Sequence, residues 1–266
     1  MPTGRERLQT TFQQLSASGN RALICFVTAG DPSLEQLPEI LDTLTAAGAD
    51  VIEVGLPFSD PIADGPVIQA SSQRALDRGV TTAKILDVLR QGAGRGWAPI
   101  ILMGYYNPIL AGGLDAMGQA IAEAGVCGTL VSDLPPGTAA DWVATSERNG
   151  LANIFLLAPT STPQRVDEVC AVASGFVYFV SRTGVTGGGL QLDERVPALI
   201  AATKSRTNLP AMIGFGISQP ADVAALRDVA DGVIVGSSLV KLLADGAAMA
   251  RLKEEVSNLK AASSPR

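Results

Sequence analysis

The chain alternates short apolar runs with longer segments whose apolar positions recur at helical spacing. Eight runs read as buried strands: 22–28 (ALICFVT), 50–55 (DVIEVG), 98–103 (APIILM), 127–133 (CGTLVSD), 151–158 (LANIFLLA), 175–181 (GFVYFVS), 210–214 (PAMIG) and 231–236 (DGVIVG). Between them the pattern predicts helices near 33–47, 66–93, 115–124, 137–148, 163–173, 192–205, 218–229 and 237–243, with further helices near 4–16 and 247–261. Asp31-Pro32-Ser33, Thr162-Pro163 and Ser218-Gln219-Pro220 cap a helix or preset its first turn. Three strands are entered through a similar phrase, AAGADVIEV, EAGVCGTLV and VADGVIV, the echo expected of a repeated βα unit. Eight continuous apolar strands alternating with helices predict an α/β fold, a single (β/α)8 TIM barrel over residues 1–266 with an extra N-terminal helix, in preference to a doubly wound open sheet.

Composition narrows the function. The 266 residues are 47% hydrophobic and 17% charged, enough for a large core, and the net charge of −6 without a long Lys/Arg cluster argues against nucleic acid or an acidic membrane as partner. The N-terminal residues are polar and no run of about 18 apolar residues occurs, so a soluble, cytoplasmic protein is expected. Cys25, Cys127 and Cys170 lie far apart in apolar segments and read as core thiols. Histidine is absent, which removes Ser-His and Cys-His nucleophiles and the usual zinc sites. Acid–base chemistry falls to carboxylates, tyrosine or lysine.

One acid stands out, Glu53 in the strand VIEVG. If Val51, Glu53 and Gly55 point into the barrel, Ile52 and Val54 pack under the helices, and Glu53 sits near the strand's C-terminal end, where this fold builds active sites. A structural acid paired with a buried arginine is the competing reading, yet no Lys or Arg lies in any of the eight runs. Pro57, Pro61 and Pro66 stiffen the loop that presents Asp60 and Asp64; acids in such a loop are either turn formers or functional. Their spacing shows no metal motif, and no metal is expected. Glycine loops at 181–189, 214–218 and 235–238 suit a phosphate site after the last strands, whereas GFGISQ lacks the dinucleotide fingerprint, so neither NAD nor FAD is expected. Apolar residues near the mouth, Phe26, Leu102, Leu130, Tyr178 and Phe215, read either as ordinary core or as the wall of a pocket for an apolar substrate end.

Together IEVGLPFSDPIADGP, LMGYYNPI, SRTGVTG and GFGIS closely resemble the tryptophan synthase α-subunit family, in order and over nearly the whole chain. The resemblance implies a cofactor-free lyase that cleaves indole-3-glycerol phosphate to indole and glyceraldehyde 3-phosphate. It implies Glu53 as proton donor and acceptor, Asp64 at the indole nitrogen and Tyr178 beside them. Burial would raise the Glu53 pKa, while a wetter Asp64 stays ionised. Phe26, Ile68, Leu102, Leu130 and Phe215 fall at indole-pocket positions, and Gly184, Gly214, Gly216, Gly236 and Ser237 at phosphate positions. Thr186 matches a threonine of a closing loop, expected to be open and disordered over 183–190 without ligand. The family also implies a β-subunit partner carrying pyridoxal phosphate in an α2β2 complex, faced by Pro57, Asp60, Asn107 and Pro135. A stand-alone lyase, a regulatory phosphate-binding barrel and another sugar-phosphate barrel enzyme are the competing functions.

Overall fold

Strands that are apolar on both faces offer their backbone no water to bond, so pairing with neighbours must satisfy it. In the computed structural model, which describes residues 2–181 and 192–264, eight parallel strands do this around a closed barrel in the order β1-β2-β3-β4-β5-β6-β7-β8. They are β1 (Ala22–Thr28), β2 (Val51–Gly55), β3 (Ile100–Gly104), β4 (Gly128–Val131), β5 (Ala152–Leu157), β6 (Val177–Val180), β7 (Ala211–Gly214) and β8 (Gly232–Val235). Seven fall within the expected runs, and β3 continues one residue beyond its run, to Gly104. This is a TIM barrel.

The helices among the described residues are α1 (Gly4–Ala17), α2 (Leu37–Ala46), α3 (Pro66–Asp77), α4 (Thr82–Gln91), α5 (Tyr106–Ala111), α6 (Leu114–Glu123), α7 (Ala140–Arg148), α8 (Pro163–Val172), α9 (Val196–Lys204), α10 (Pro220–Leu226), α11 (Ser237–Ala244) and α12 (Met249–Ser263). The single helix expected over 66–93 is two, because Gly79 turns the chain at φ +69° and the Thr81 hydroxyl caps the new start by accepting from Lys84 N. Helix α5 was not expected. Its first N–H, that of Tyr106, donates to Asp133 Oδ1 at 2.7 Å, a cap supplied from the loop after β4.

Strand alternation splits the core into two layers. Ile52 and Val54 pack outward with the helices, whereas Val51 joins Ile24, Ile101, Leu130, Ile154, Phe176 and Met212 inside the barrel. Helix α1 closes the N-terminal end of that interior with Leu8 and Phe12, the latter edge-on to Phe176 at 5.9 Å. Each such side chain contributes about 2 kcal/mol through burial. The start of α1 is fixed by a capping box in which Glu6 N donates to the Thr3 hydroxyl and Thr3 N to Glu6 Oε2.

Candidate active site

Glu53 points into the barrel near the C-terminal end of β2, as its neighbours Ile52 and Val54 must face the helices. It is 1% exposed, and among the described residues neither carboxylate oxygen has a hydrogen-bond partner. Burial alone therefore acts on it, and the pKa is pushed up to about 8. At neutral pH Glu53 holds a proton.

A cavity of about 50 Å³ opens above it, lined by Phe26, Ile68 and Met103 on one side and by Tyr178, Phe215 and Ile217 on the other. Helix α3 brings Ile68 to Phe26. Its position is set by the buried Thr28–Ser71 hydroxyl contact at 2.7 Å and by Arg74, whose guanidinium grips the buried Asp31 carboxylate through two bonds of 2.9 and 2.6 Å.

Asp64 reaches the cavity from the loop between β2 and α3. That loop is folded over Tyr105, the residue following β3. The Tyr105 hydroxyl donates to Asp64 Oδ2 at 2.9 Å and accepts from Ala63 N at 3.0 Å, while its ring stacks on Phe58 at 4.9 Å. Gln69 Nε2 donates to the Asp64 carbonyl at 2.8 Å. Partial burial raises the Asp64 pKa and the Tyr105 hydrogen bond opposes the rise. The two acids thus differ in kind: Glu53 is buried and, among the described residues, unpartnered, Asp64 half-buried and hydrogen-bonded.

Tyr178 on β6 is buried beside them, and its hydroxyl pKa lies well above the ordinary tyrosine value through burial first, then the nearby Glu53 and Asp64 charges. Its ring meets Phe215 edge-on at 6.0 Å. Phe215 adopts φ +74°, the left-handed region that an aromatic residue rarely enters, at a cost of about 1–3 kcal/mol. Ser181 Oγ holds it there by donating to the Phe215 carbonyl at 2.6 Å.

Gly216, Gly236 and Ser237 come together on the wall built by the ends of β7 and β8, with Gly236 as the N-cap of α11. Gly214 does something else. A Cβ there would lie 2.1 Å from the Tyr178 hydroxyl, so this glycine makes room for the tyrosine, and it does not line the cavity. Leu102 is a correction of another sort. It packs outward among the helix-facing residues, and Met103 is the β3 side chain at the cavity. Leu130 lies inside the barrel with Ile101 and Tyr178 and outside the cavity lining. Gly184 and Thr186, with the rest of the expected closing loop, lie outside the described residues. Asp60 and Pro135 are exposed and Pro57 half-exposed on loops, and Asn107 is exposed in the first turn of α5, all at the same end of the barrel.

A family model described as tryptophan synthase alpha chain matches residues 12–264. The chain belongs to the tryptophan synthase alpha chain family. It is 49% identical over 260 residues to the tryptophan synthase alpha chain of Burkholderia thailandensis, covering 96% of each, and 48% identical over 236 residues to that of Geobacter sulfurreducens, covering 89% of each. Among solved structures it resembles Mycobacterium tuberculosis tryptophan synthase (TM-score 0.91, 34% identity, 100% of both chains) and tryptophan synthase subunit alpha of Legionella pneumophila (TM-score 0.87, 35% identity, 96% of this chain and 97% of that one).

In this chain, sequence reasoning missed Tyr105, Met103 and Ile217. The signal for Met103 was present: the alternation that turns Glu53 and Gly55 inward, carried across the β2–β3 pairing, places Ile101 and Met103 inside. Tyr105 stands just past a strand end inside a motif already singled out, LMGYYNPI, and its partner lies 41 residues away. No local pattern pairs them.

Proposed function

We propose that Glu53 and Asp64 carry out the alpha-chain reaction, retro-aldol cleavage of indole-3-glycerol phosphate to indole and glyceraldehyde 3-phosphate in tryptophan biosynthesis. The observation that supports it most is Glu53: a carboxyl buried in an apolar cavity, without a partner among the described residues, and protonated at neutral pH. In the cleavage, protonated Glu53 gives its proton to indole C3. The resulting carboxylate takes the proton of the hydroxyl on the adjacent glycerol carbon as the C–C bond breaks. The bond electrons return to the ring, the hydroxyl carbon becomes the aldehyde, and Glu53 ends protonated as it began. Asp64, accepting from N1–H, stabilises the positive charge that C3 protonation places on the ring nitrogen. Tyr105 holds that carboxylate in place, and Tyr178, between Glu53 and Phe215, shapes the floor beneath the indole.

The indole lies between Phe26, Ile68, Met103 and Phe215, and the phosphate against Gly216, Gly236 and Ser237, where glycines and the N-terminus of α11 offer N–H groups to an anion. Gly184 and Thr186 belong to this reading as phosphate and closure residues. No cofactor enters these steps; pyridoxal phosphate belongs to the β partner.

That partner, a tryptophan synthase β subunit in an α2β2 complex, faces the loops of Pro57, Asp60, Asn107 and Pro135. Two large apolar side chains support this placement, Ile62 on the loop after β2, 84% exposed, and Leu110 on α5, 52% exposed. The chain acts as one cytoplasmic domain over residues 1–266, and no described helix is long and apolar enough to cross a membrane.

The test is Asp64→Asn together with the pH profile of the unsubstituted chain. Indole formation should fall by about 10²–10⁴-fold in the variant, the range for a lost acid–base group. In the unsubstituted chain it should decline above about pH 8 as Glu53 ionises. An unchanged rate in Asp64→Asn, or a rate still rising through pH 9, contradicts these roles.

A further inference from the structure

A second cleft lies at the end of the barrel opposite Glu53. Helix α1 covers the interior with Leu8 and Phe12 but leaves a cleft of about 780 Å³ between its flank and the chain segments that lead into β6, β7, β8 and β1. That volume lies within the range of small-molecule sites, roughly 300–1,000 Å³. Its accessible apolar lining is Leu15, Leu209 and Pro210, with Phe12, Ala22 and Met212 buried beneath.

The walls carry charge of one sign. Arg5, Arg21 and Lys204 border the cleft against a single carboxylate, Asp231. Asp231 is fully engaged: Lys204 Nζ donates to one oxygen at 2.8 Å and Ala211 N to the other at 2.8 Å. Neither Arg5 nor Arg21 forms an ion pair among the described residues, and Arg21 is braced by its Nε, which donates to the Arg227 carbonyl at 2.7 Å. Arg5, Gln9 and Gln13 stand four residues apart along α1, so one guanidinium and two amides line up along the same wall. A cationic, amide-lined cleft with an apolar floor is out of keeping with a chain of net charge −6.

We propose that this cleft binds a small organic polyanion, a metabolite-sized molecule with two or more carboxylate or phosphate groups around an apolar body. The acidic groups pair with Arg5 and Arg21, whose planar forks suit carboxylate and phosphate oxygens equally, and the body rests on Leu15, Leu209 and Pro210. The site is separate from the barrel mouth and takes part in none of the steps at Glu53.

The experiment is calorimetric titration of the full chain with benzene-1,3,5-tricarboxylate, with and without saturating glycerol 3-phosphate at the mouth. Saturable one-to-one binding that glycerol 3-phosphate leaves in place is expected, weakening as salt rises. The Arg5→Glu/Arg21→Glu variant should bind at least tenfold more weakly. Gln13→Glu, a single change on the exposed side of α1, should weaken binding in the same direction, and indole formation should be unchanged in both variants. The proposal is overturned by absence of saturable binding, by displacement with glycerol 3-phosphate, or by equal affinity in the unsubstituted chain and Gln13→Glu.

Discussion

Glu53→Gln should make the protein more stable, by an amount that depends on pH in a way fixed by burial. In the folded chain the carboxyl titrates at about 8, against an ordinary value of 4.5. Below pH 4.5 the group is protonated folded or unfolded, and it costs nothing that glutamine would not. Between 4.5 and 8 the unfolded chain releases the proton while the folded chain keeps it, so wild-type stability falls with rising pH. At about 1.36 kcal/mol per pH unit the deficit reaches about 3 kcal/mol at pH 7 and levels at about 5 kcal/mol above pH 8. Glutamine has no proton to lose and escapes this. Urea denaturation of both proteins from pH 4 to 9 gives the difference directly. It should be flat at the acid end, grow with pH in favour of Glu53→Gln, and level off near 8. A difference that does not change with pH, or that grows in favour of the wild type, refutes the claim that burial keeps Glu53 protonated.

Other consequences are as specific. Tyr105→Phe leaves Ala63 N–H without its acceptor and Asp64 without its donor, costing about 1–3 kcal/mol; losing a bond that lowers the Asp64 pKa should move the acid limb of the pH–rate profile upward, and an unmoved limb counts against a positioning role. Gly214→Ala places a methyl in the space of the Tyr178 hydroxyl and should lower stability by about 1–3 kcal/mol and kcat with it; normal thermal unfolding and turnover would contradict the packing argument. Leu110→Asp, on the exposed face of α5, should weaken association with the β subunit by tenfold or more, about 1.4 kcal/mol, without changing the rate of the isolated chain; unchanged affinity in sedimentation or titration would move the interface elsewhere.

The strands and Glu53 could be read from the sequence for one reason: a barrel strand must be apolar on both sides, so an acid within it is conspicuous and its direction follows from its neighbours. The closed barrel follows from counting such strands. What could not be read depends on contacts between distant segments. Helix α5 begins where Asp133, 27 residues on, caps Tyr106, and its own segment YNPILA contains a proline that argues against a helix. Tyr105 gains its meaning only from Asp64, and Gly214 only from the tyrosine of the adjacent strand. The turn at Gly79 was legible and overlooked, since the glycine precedes a Thr-Thr start that can cap a helix. Phe215 at positive φ could not be foreseen, because sequence preference opposes it and the contacts that hold it, the Ser181 bond and the Tyr178 ring, come from another strand.

The most direct test of the central claim is indole release from indole-3-glycerol phosphate by the purified wild type and Glu53→Gln, each with and without a tryptophan synthase β subunit. Slow release by the wild type, faster with the partner, and none from Glu53→Gln in either condition while it still binds glycerol 3-phosphate is the predicted result. Release by Glu53→Gln at the wild-type rate, or no release by the wild type in either condition, contradicts it.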